Sequence, residues 1–425
     1  NNIAILQRIG QFGDIHHPRT ASAAPRYIFT ALEEIAVSLF PRVDLDLLER
    51  LVDEGQQIEP KHFLPVICMT LVNGSEGIGT GWRSQVPFYN PRELIAWARR
   101  LAHDQSAELD DIHPWYRGLE GRIVQKDSTT YISFGVLEAF PEQGRVHISQ
   151  LPVRKWTEPY ADWLRSTIVN GKDVFEVLNT STDELVRVDL ICTPEFASIP
   201  VSELEQKLKL HTSLNTNNMI LFNAEGKLQR YETPADIARE HAVARYELYA
   251  ARLAAMKARA EHDGAIAANK ARYIRSIVDE TLQLKNVDRR KLIERLTEME
   301  FYEHDSFRYL LNMPTVSLTL DAVLALEAEV VANQDIVARL GVETPEGLWI
   351  ADLDALESAY GKYEANRAEE RLAAEVSTKR KVAHLPKKPK KSKKVAADVT
   401  QEKSKGGEPS TSQSVLPSAW QGASA

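Results

Sequence analysis

An arginine and a tyrosine stand together, Arg26 and Tyr27, after a run of small residues in ASAAPRYIFT at 21–30. A tyrosine hydroxyl has an ordinary pKa of about 10, so it needs help to act as a nucleophile at neutral pH. A neighbouring guanidinium can hold a phosphate through two hydrogen bonds and stabilise charge during attack on phosphorus. The pair is therefore suited to the transfer of a phosphodiester onto tyrosine, although most Arg-Tyr dipeptides are packing residues.

A second stretch with chemical potential is the glycine-rich NGSEGIGTGW at 73–82. Its spacing fits neither a phosphate-binding P-loop nor a dinucleotide fingerprint. Glycines on both sides of Ile78 instead predict a backbone that lies close to a partner while one isoleucine protrudes. DNA base steps accept such apolar wedges. The alternative interpretation is a buried isoleucine in a turn.

Two further stretches, LPVRKWT at 151–157 and KLHTSLNTNN at 209–218, combine basic, hydroxyl and amide side chains with a tryptophan. Such side chains donate hydrogen bonds to the phosphates of nucleic acids. The candidate contacts are Arg154, Trp156, Lys209, Thr212, Ser213 and Asn218. The alternative for Trp156 is a core residue at the end of a strand.

Composition limits the class of protein. At 425 residues, with 43% hydrophobic and 26% charged residues, the chain is typical of a soluble protein of two or three domains. Two cysteines, Cys68 and Cys192, argue against a disulfide scaffold or a thiolate metal site. We predict no membrane span, because no apolar run reaches about 18 residues. The chain begins without methionine, and we expect it to be a piece of a longer protein.

Charge is distributed unevenly. From Ser377 onward the chain has eleven Lys or Arg and three acidic residues, although the net charge of the whole chain is -8. The stretch 379–394 alone holds nine basic residues, and the sequence after it lacks periodicity. We predict a disordered basic tail over 377–425 that serves as a nuclear import signal or a DNA-binding tail. A solubilising charge run is the alternative.

Periodicity predicts mixed elements in the first half. We expect helices at 30–40, with Thr30 and Glu33 as a capping box, and at 45–55. The apolar ICMTLV at 67–72 is expected to be a strand, and Asn90-Pro91 to begin a helix that reaches 104. Antiparallel strands are expected between 121 and 153, another at 189–196, and a hairpin at 219–231.

Two long helices are predicted in the second half. From 235 to 282 there is no proline and one glycine. Apolar residues follow a 3-4 spacing in this stretch and again between Val323 and Leu340, which is typical of a coiled coil. A compact insert separates them, so we predict an antiparallel coiled-coil arm with a small head. An ordinary helical bundle is the alternative.

Taken together, these stretches resemble the eukaryotic type II DNA topoisomerases, members of the type IIA class. The resemblance is carried by long motifs in one order over about residues 1–360. They are NNIAILQRIGQFG, ASAAPRYIFTAL, EPKHFLPVICMTLVNGSEGIGTGW, ISQLPVRKWT, KLHTSLNTNNMILF, KARYI and YLLNMPTVSLT.

The resemblance implies roles for individual residues. Tyr27 would form a 5′-phosphotyrosyl link to DNA, and Arg26 would stabilise the transition state. Ile78 would intercalate and bend the DNA. Further DNA contacts are expected from His17, Arg19, Ser22, Thr80, Arg154, Trp156, Lys209, Thr212, Ser213 and Asn218. Leu310, Leu311 and Met313 of YLLNMP would meet a second copy at a protein gate.

One segment departs from the family pattern. Before SAAPRY the family usually carries a basic, glycine-rich stretch, whereas this chain has DIHHPRTA at 14–21. His17 matches a family histidine, and Arg19 could keep a phosphate contact. Pro18 is expected to stiffen the loop. His16 and His17 have no third ligand nearby in sequence, so we predict no metal site there.

The resemblance also implies an architecture. We predict an α+β protein with four parts: the end of a winged-helix domain at 1–67, a mixed α/β tower domain at 68–231, a long antiparallel coiled coil with a small helical gate head at 232–376, and the disordered basic tail.

The predicted function is part of an ATP-dependent, homodimeric type II topoisomerase. Such an enzyme cleaves and religates one DNA duplex and passes a second duplex through the break. Mg²⁺ and ATP would serve the complete enzyme and would not be bound by this chain, so we expect the chain alone to be inactive. We expect a nuclear location. The alternative is a non-catalytic coiled-coil protein that binds nucleic acid.

Overall fold

The computed structural model describes residues 1–16, 22–182, 185–284, 287–314 and 319–383. The chain forms two units, 1–378 and 379–425. The described part of the second unit is 379–383, which continues a helix. That helix runs past position 377, where the tail was predicted to begin; the rest of the predicted tail lies outside the described residues.

The elements follow one another in a mixed order. The helices are α1 (Glu34–Leu39), α2 (Met69–Asn73), α3 (Pro91–His103), α4 (Thr157–Trp163), α5 (Pro194–Ala197), α6 (Val201–Lys207), α7 (Pro234–Val278), α8 (Arg289–Glu298), α9 (Arg308–Leu311), α10 (Leu320–Val342) and α11 (Pro345–Ala383). The strands are β1 (Arg50–Asp53), β2 (Gln56–Pro60), β3 (Ser75–Gly79), β4 (Trp82–Val86), β5 (Ile123–Gln125), β6 (Thr130–Phe134), β7 (Val136–Phe140), β8 (Arg145–Gln150), β9 (Val174–Asn179), β10 (Val188–Cys192), β11 (His211–Asn215), β12 (Met219–Phe222) and β13 (Leu228–Tyr231).

The sheets of the described chain are antiparallel. A four-stranded sheet has the order β7-β8-β10-β9, and a three-stranded sheet has the order β11-β6-β5. The pairs β1-β2, β3-β4 and β12-β13 are hairpins. The predicted α+β class is therefore confirmed, as are the helix that begins at Asn90-Pro91, with Asn90 as its N-cap, and the hairpin at 219–231.

Three local predictions were wrong. The first helix begins at Glu34 rather than Thr30, because the preceding residues pair with the N-terminal segment, as in the bridge from Leu6 to Leu32. Residues predicted as a helix at 45–55 form part of the β1-β2 hairpin, whose turn uses positive φ values at Glu54 and Gly55. The apolar run at 67–72, predicted as a strand, instead leads into helix α2.

Two main cores form in the first unit. The larger combines residues from the N-terminal region, from the start of α7 and from α11, including Ile3, Trp97, Tyr249 and Trp349. It therefore spans the sequence positions 67 and 231 that were predicted as domain boundaries. The second core is built from residues between Leu137 and Leu210. Helix α11, which the sequence analysis did not identify, supplies Trp349 and its neighbours to the first core.

Helices α7 and α10 pack along each other. Leu253 and Ala260 of α7 and Leu340 of α10 belong to one apolar cluster, and Ile274 and Val323 belong to another. Between the two helices, α8 and α9 surround a small core that includes Tyr273, Phe301 and Phe307. Leu310 is buried in this core. It is therefore not an exposed gate residue as predicted, whereas Leu311 and Met313 are partly buried.

Candidate functional site

Tyr27 lies at the end of a short 3₁₀ turn, Pro25–Tyr27. Proline suits the first position of such a turn because its φ is already fixed. The Tyr27 amide donates to the Ala24 carbonyl at 2.9 Å, which closes the turn. Nothing large precedes the tyrosine, and its side chain is 64% exposed. The hydroxyl is thus accessible to a macromolecular substrate.

Arg26 lies directly beside this tyrosine. The guanidinium carbon is 5.0 Å from the centroid of the Tyr27 ring, a cation–π distance. The predicted pair is therefore close in space as well as in sequence. This arrangement places a permanent positive charge where a phosphate approaching the tyrosine would need one.

A ladder with the N-terminal segment fixes the turn. Ile9 and Phe29 exchange two backbone hydrogen bonds, at 3.1 and 2.8 Å, and the Ala23 amide donates to the Gln11 carbonyl at 2.9 Å. Gly10 has φ +107° at the point of closest approach, where a side-chain Cβ would lie 3.2 Å from the Tyr27 carbonyl oxygen. The IGQFG motif thus supports the tyrosine from behind. Ser22, predicted to contact DNA, is exposed on this ladder opposite Phe12.

Ile78 protrudes from the β3-β4 hairpin. The side chain is 85% exposed, which confirms the predicted exposure. Thr80 is exposed in the turn, next to Gly81, which adopts φ +78°. Trp82, which the sequence analysis did not select, is 54% exposed directly after the turn. Its position at the end of the glycine-rich stretch was the available signal.

The Ile78 hairpin and the LPVRKWT loop are brought together by an ion pair. Arg154 Nη2 lies 3.1 Å from Glu76 Oε2 on β3. Arg154 adopts φ +70°, which is unusual for a residue other than glycine. Asn218 also reaches the hairpin, since its backbone carbonyl accepts from the Gln85 amide at 2.8 Å. These predicted residues therefore surround the base of the hairpin.

Two lysines pack against aromatic rings next to this loop. Lys155 Nζ lies 5.1 Å from the Tyr160 ring and donates to the Lys209 carbonyl, while Lys209 Nζ lies 5.1 Å from the Trp163 ring. Burial, with the nearby charge of Lys209, lowers the pKa of Lys155 to about 8. Trp156 is partly exposed between these groups. Lys155 thus braces the loop, and Trp156 remains accessible.

The outer face of β6 and β11 forms a surface depression of ≈ 600 Å³ beside Arg154. It is lined by Lys126, Thr130, Ile132, Arg154, His211, Thr212 and Ser213. Ser213 is exposed there. The Thr212 hydroxyl donates to the Val153 carbonyl at 2.8 Å, so it supports the loop rather than offering its proton to a phosphate. Lys126 and His211 were not selected from the sequence.

Other predicted positions fall elsewhere. His17 and Arg19 lie outside the described residues, and Tyr27 contacts Arg26 and its own ladder rather than the Ile78 hairpin. Within the described part of the chain, no group of three or more His, Cys, Asp or Glu side chains could hold a metal ion. The described helices also include none that is long and apolar enough to cross a membrane.

Comparison with known proteins connects these features. The family described as DNA gyrase/topoisomerase IV, with the A chain of that enzyme as its member, matches residues 1–354. DNA topoisomerase 2 of Arabidopsis thaliana is 32% identical over 89% of this chain, and DNA topoisomerase 2-beta of Homo sapiens is 32% identical over 88%. The chain spans 29% and 25% of the lengths of these two relatives.

A solved structure is similar as well. The DNA-binding, cleavage and re-ligation domain of Plasmodium falciparum topoisomerase II superposes with a TM-score of 0.78 at 30% identity. The match covers 87% of this chain and 54% of that one. The resemblance to eukaryotic type II topoisomerases is thereby confirmed for most of the sequence.

Proposed function

The chain belongs to the DNA gyrase/topoisomerase IV family, and from this premise we propose that it is the DNA-cleaving part of a type II DNA topoisomerase. The observation that carries the proposal is the exposed Tyr27 hydroxyl beside the Arg26 guanidinium. Together they provide a nucleophile and a phosphate ligand on a turn that the N-terminal ladder fixes.

The proposed reaction is a transesterification. The Tyr27 oxygen attacks a backbone phosphorus and loses its proton to solvent, and the bond from phosphorus to the 3′ oxygen breaks. The product is a 5′-phosphotyrosyl link and a free 3′ hydroxyl. Arg26 stabilises the negative charge on the pentacoordinate phosphorus. Since one phosphodiester replaces another, resealing is the reverse attack and needs no separate energy source.

The remaining surface would hold and bend the duplex. Ile78 inserts between base pairs, because an isoleucine this exposed gains by leaving water. Arg154, Trp156 and Ser213 contact the DNA backbone beside the wedge, with Lys209 and Asn218 near them. Ser22 and Thr80 supply hydroxyl donors near the tyrosine and at the hairpin tip, and Thr212 supports the Arg154 loop. His17 and Arg19 stay predicted contacts of the segment before the tyrosine.

Mg²⁺ and ATP belong to the proposed activity of a complete enzyme. The acidic side chains of the described residues do not cluster as a Mg²⁺ site requires. We therefore assign neither cofactor to these residues and derive no step through them.

The complete enzyme is proposed to be a homodimer that passes a second duplex through the cleaved one. The packing of α7 on α10 supports an antiparallel coiled coil, and the core around Phe307 supports a gate head at its end. The predicted winged-helix and tower boundaries and the nuclear location, through the basic 379–394, belong to the same proposal. A non-catalytic nucleic-acid-binding protein would leave the Arg26-Tyr27 turn unexplained.

A chimera tests this function. The chain replaces the matching segment of Arabidopsis thaliana DNA topoisomerase 2, and covalent protein–DNA complexes are trapped by denaturation in the presence of Mg²⁺ and plasmid. We expect complexes with the wild-type chain and none with Tyr27→Phe, which folds alike but lacks the hydroxyl. Tyr302→Phe is the control, since Tyr302 is an exposed tyrosine on the head segment. Complexes that persist in Tyr27→Phe would overturn the proposal.

A further inference from the structure

The segment before the tyrosine is attached to the beginning of helix α4. The Thr157 amide and the Thr157 hydroxyl both donate to the Ile15 carbonyl, at 3.2 and 3.0 Å. The Glu158 amide donates to the His16 carbonyl at 3.1 Å. These partners are 142 residues apart in sequence, so the contact joins two distant parts of the chain.

The physical basis of this attachment is the helix end itself. The first amides of a helix have no carbonyl partner within the helix. Here the carbonyls of Ile15 and His16 satisfy two of them. Thr157 is only 1% exposed, so its hydrogen bonds are shielded from competing water.

Charge reinforces the same contact. Glu158 Oε1 lies 3.9 Å from His16 Nδ1, and Asn179 donates to that carboxylate oxygen at 2.8 Å. Arg165 lies 3.9 Å from the other oxygen. The carboxylate is therefore oriented by groups on α4's own continuation and on β9, and it faces the segment before the tyrosine.

A short path leads from this attachment to the tyrosine. Phe12, two residues before Asp14, is paired with Ser22, and Gln11 accepts the Ala23 amide. Ala23 in turn leads into the 3₁₀ turn that ends in Tyr27. A displacement of 14–16 would therefore act on the ladder that holds the nucleophile.

The other side of the attachment is the proposed DNA surface. Arg154 and Trp156 lie on the loop that runs directly into Thr157. Two hydrogen bonds to its neighbours hold this loop in place: the Thr212 hydroxyl donates to Val153, and Lys155 donates to Lys209. DNA held at this loop and the tyrosine segment thus contact opposite sides of one short, braced stretch.

We infer that Thr157 and Glu158 are positioning residues that couple DNA held at the Arg154–Trp156 loop to the placement of the Tyr27 turn. The inference rests on the proposed function, because it concerns the orientation of the same nucleophile. Neither residue touches the reacting atoms; both act through the backbone of Ile15 and His16.

Hydrogen exchange of the full chain, without DNA, tests the attachment. Thr157→Val keeps the shape and removes the hydroxyl. We expect five- to tenfold faster exchange at the Glu158 and Ala23 amides, and near wild-type exchange in Thr157→Ser. Thr193→Val is the control, because Thr193 caps α5 through its side chain and does not contact 14–16. Unchanged exchange at Ala23 in Thr157→Val would overturn the inference.

The chimera described above tests the coupling. In Thr157→Val we expect about tenfold less covalent complex, while the Kd for a bent duplex changes less than twofold; Thr157→Ser should restore the complex. Equal losses of binding and cleavage, or no loss of either, would contradict positioning. If the wild-type chimera forms no covalent complex, the proposed function fails, and the exchange result still decides whether Thr157 holds the segment.

Discussion

The base of helix α7 and the proposed DNA surface treat polarity in opposite ways. At the base of α7, Arg245 is fully buried and lies 2.7 Å from the buried carboxylate of Asp44. On the DNA surface, Ile78 and Trp82 are exposed at the end of a hairpin. Charge is inside in one region, and large apolar groups are outside in the other.

The difference separates groups that need only the chain itself from groups that need a partner. Arg245 also donates to the Leu64 carbonyl, and Arg252 and Asp352 extend the same ion-pair network to α11. Buried charges are tolerated when they are paired in this way. An exposed isoleucine has no such compensation within the chain, which is consistent with a surface that is completed by DNA.

The largest effect is expected at the buried ion pair. Arg245→Met should lower the free energy of unfolding by about 3–5 kcal/mol, because Asp44 remains buried with its main partner gone. Urea unfolding measures the change. The double variant Arg245→Met/Asp44→Asn should recover most of the loss. If the single variant were as stable as the wild type, the network would not hold the base of α7.

A pH-dependent effect is expected at His241, in the same region. Burial lowers the pKa of His241 to about 4, and the side chain contacts the Pro65 carbonyl at 3.0 Å. Below the ordinary pKa of about 6.5, the unfolded chain binds a proton that the folded chain does not, so stability falls with pH until about 4.

His241→Gln removes this proton and keeps a donor for Pro65. Relative to its own stability at pH 7, the variant should lose about 2 kcal/mol less than the wild type on going to pH 5. Chemical unfolding at the two pH values measures the difference. Parallel pH profiles for the two proteins would show that His241 does not titrate between them.

The exposed hairpin should be sensitive at its base. Gly74 has φ +64°, and a Cβ there would lie 2.4 Å from the Phe88 ring and 2.6 Å from the Val86 carbonyl oxygen. Gly74→Ala should cost about 1–3 kcal/mol and displace the hairpin. Gly77→Ala is the matched control, since a Cβ there meets no atom within 4 Å. Equal unfolding midpoints for the two variants would contradict this difference.

The smallest effect on stability is expected at the wedge itself. Ile78→Ala should change the free energy of unfolding by less than about 0.5 kcal/mol, because the side chain is already in water. Its effect should appear only with DNA, as a smaller bend measured by energy transfer between dyes on the duplex ends. Val52→Ala, an exposed position on the β1-β2 hairpin, should leave the bend unchanged. A normal bend with Ile78→Ala would remove the wedge role.

Local signals in the sequence predicted the elements whose stability is local. The N-cap at Asn90 and the turn between β12 and β13 need only neighbouring residues, and both predictions were confirmed. The region around Leu51 and Val52 has apolar spacing that fits a helix or a strand, and the positive φ values of the Glu54-Gly55 turn decided for a hairpin. Helix α11 was missed because Trp349 packs on residues almost 300 positions earlier, as its hydrogen bond to the Val66 carbonyl illustrates.

The same reasoning applies to the candidate site. Arg26, Tyr27 and Ile78 were selected from residue type and glycine spacing, and their exposure agrees with that selection. The bond from Thr157 to Ile15 could not be predicted, because a backbone carbonyl carries no sequence signal. Thr212 was assigned as a phosphate donor because its proximity to Val153 appears only in the fold.

Helix α7 has a mechanical consequence. From Arg245 to its end at Val278 it rises roughly 50 Å, at about 1.5 Å per residue. A rotation of one degree at the Asp44 ion pair would therefore move the far end by about 1 Å. In that sense α7 is a lever, and the 2.7 Å contact at its pivot sets the accuracy with which the distant Phe307 core is placed.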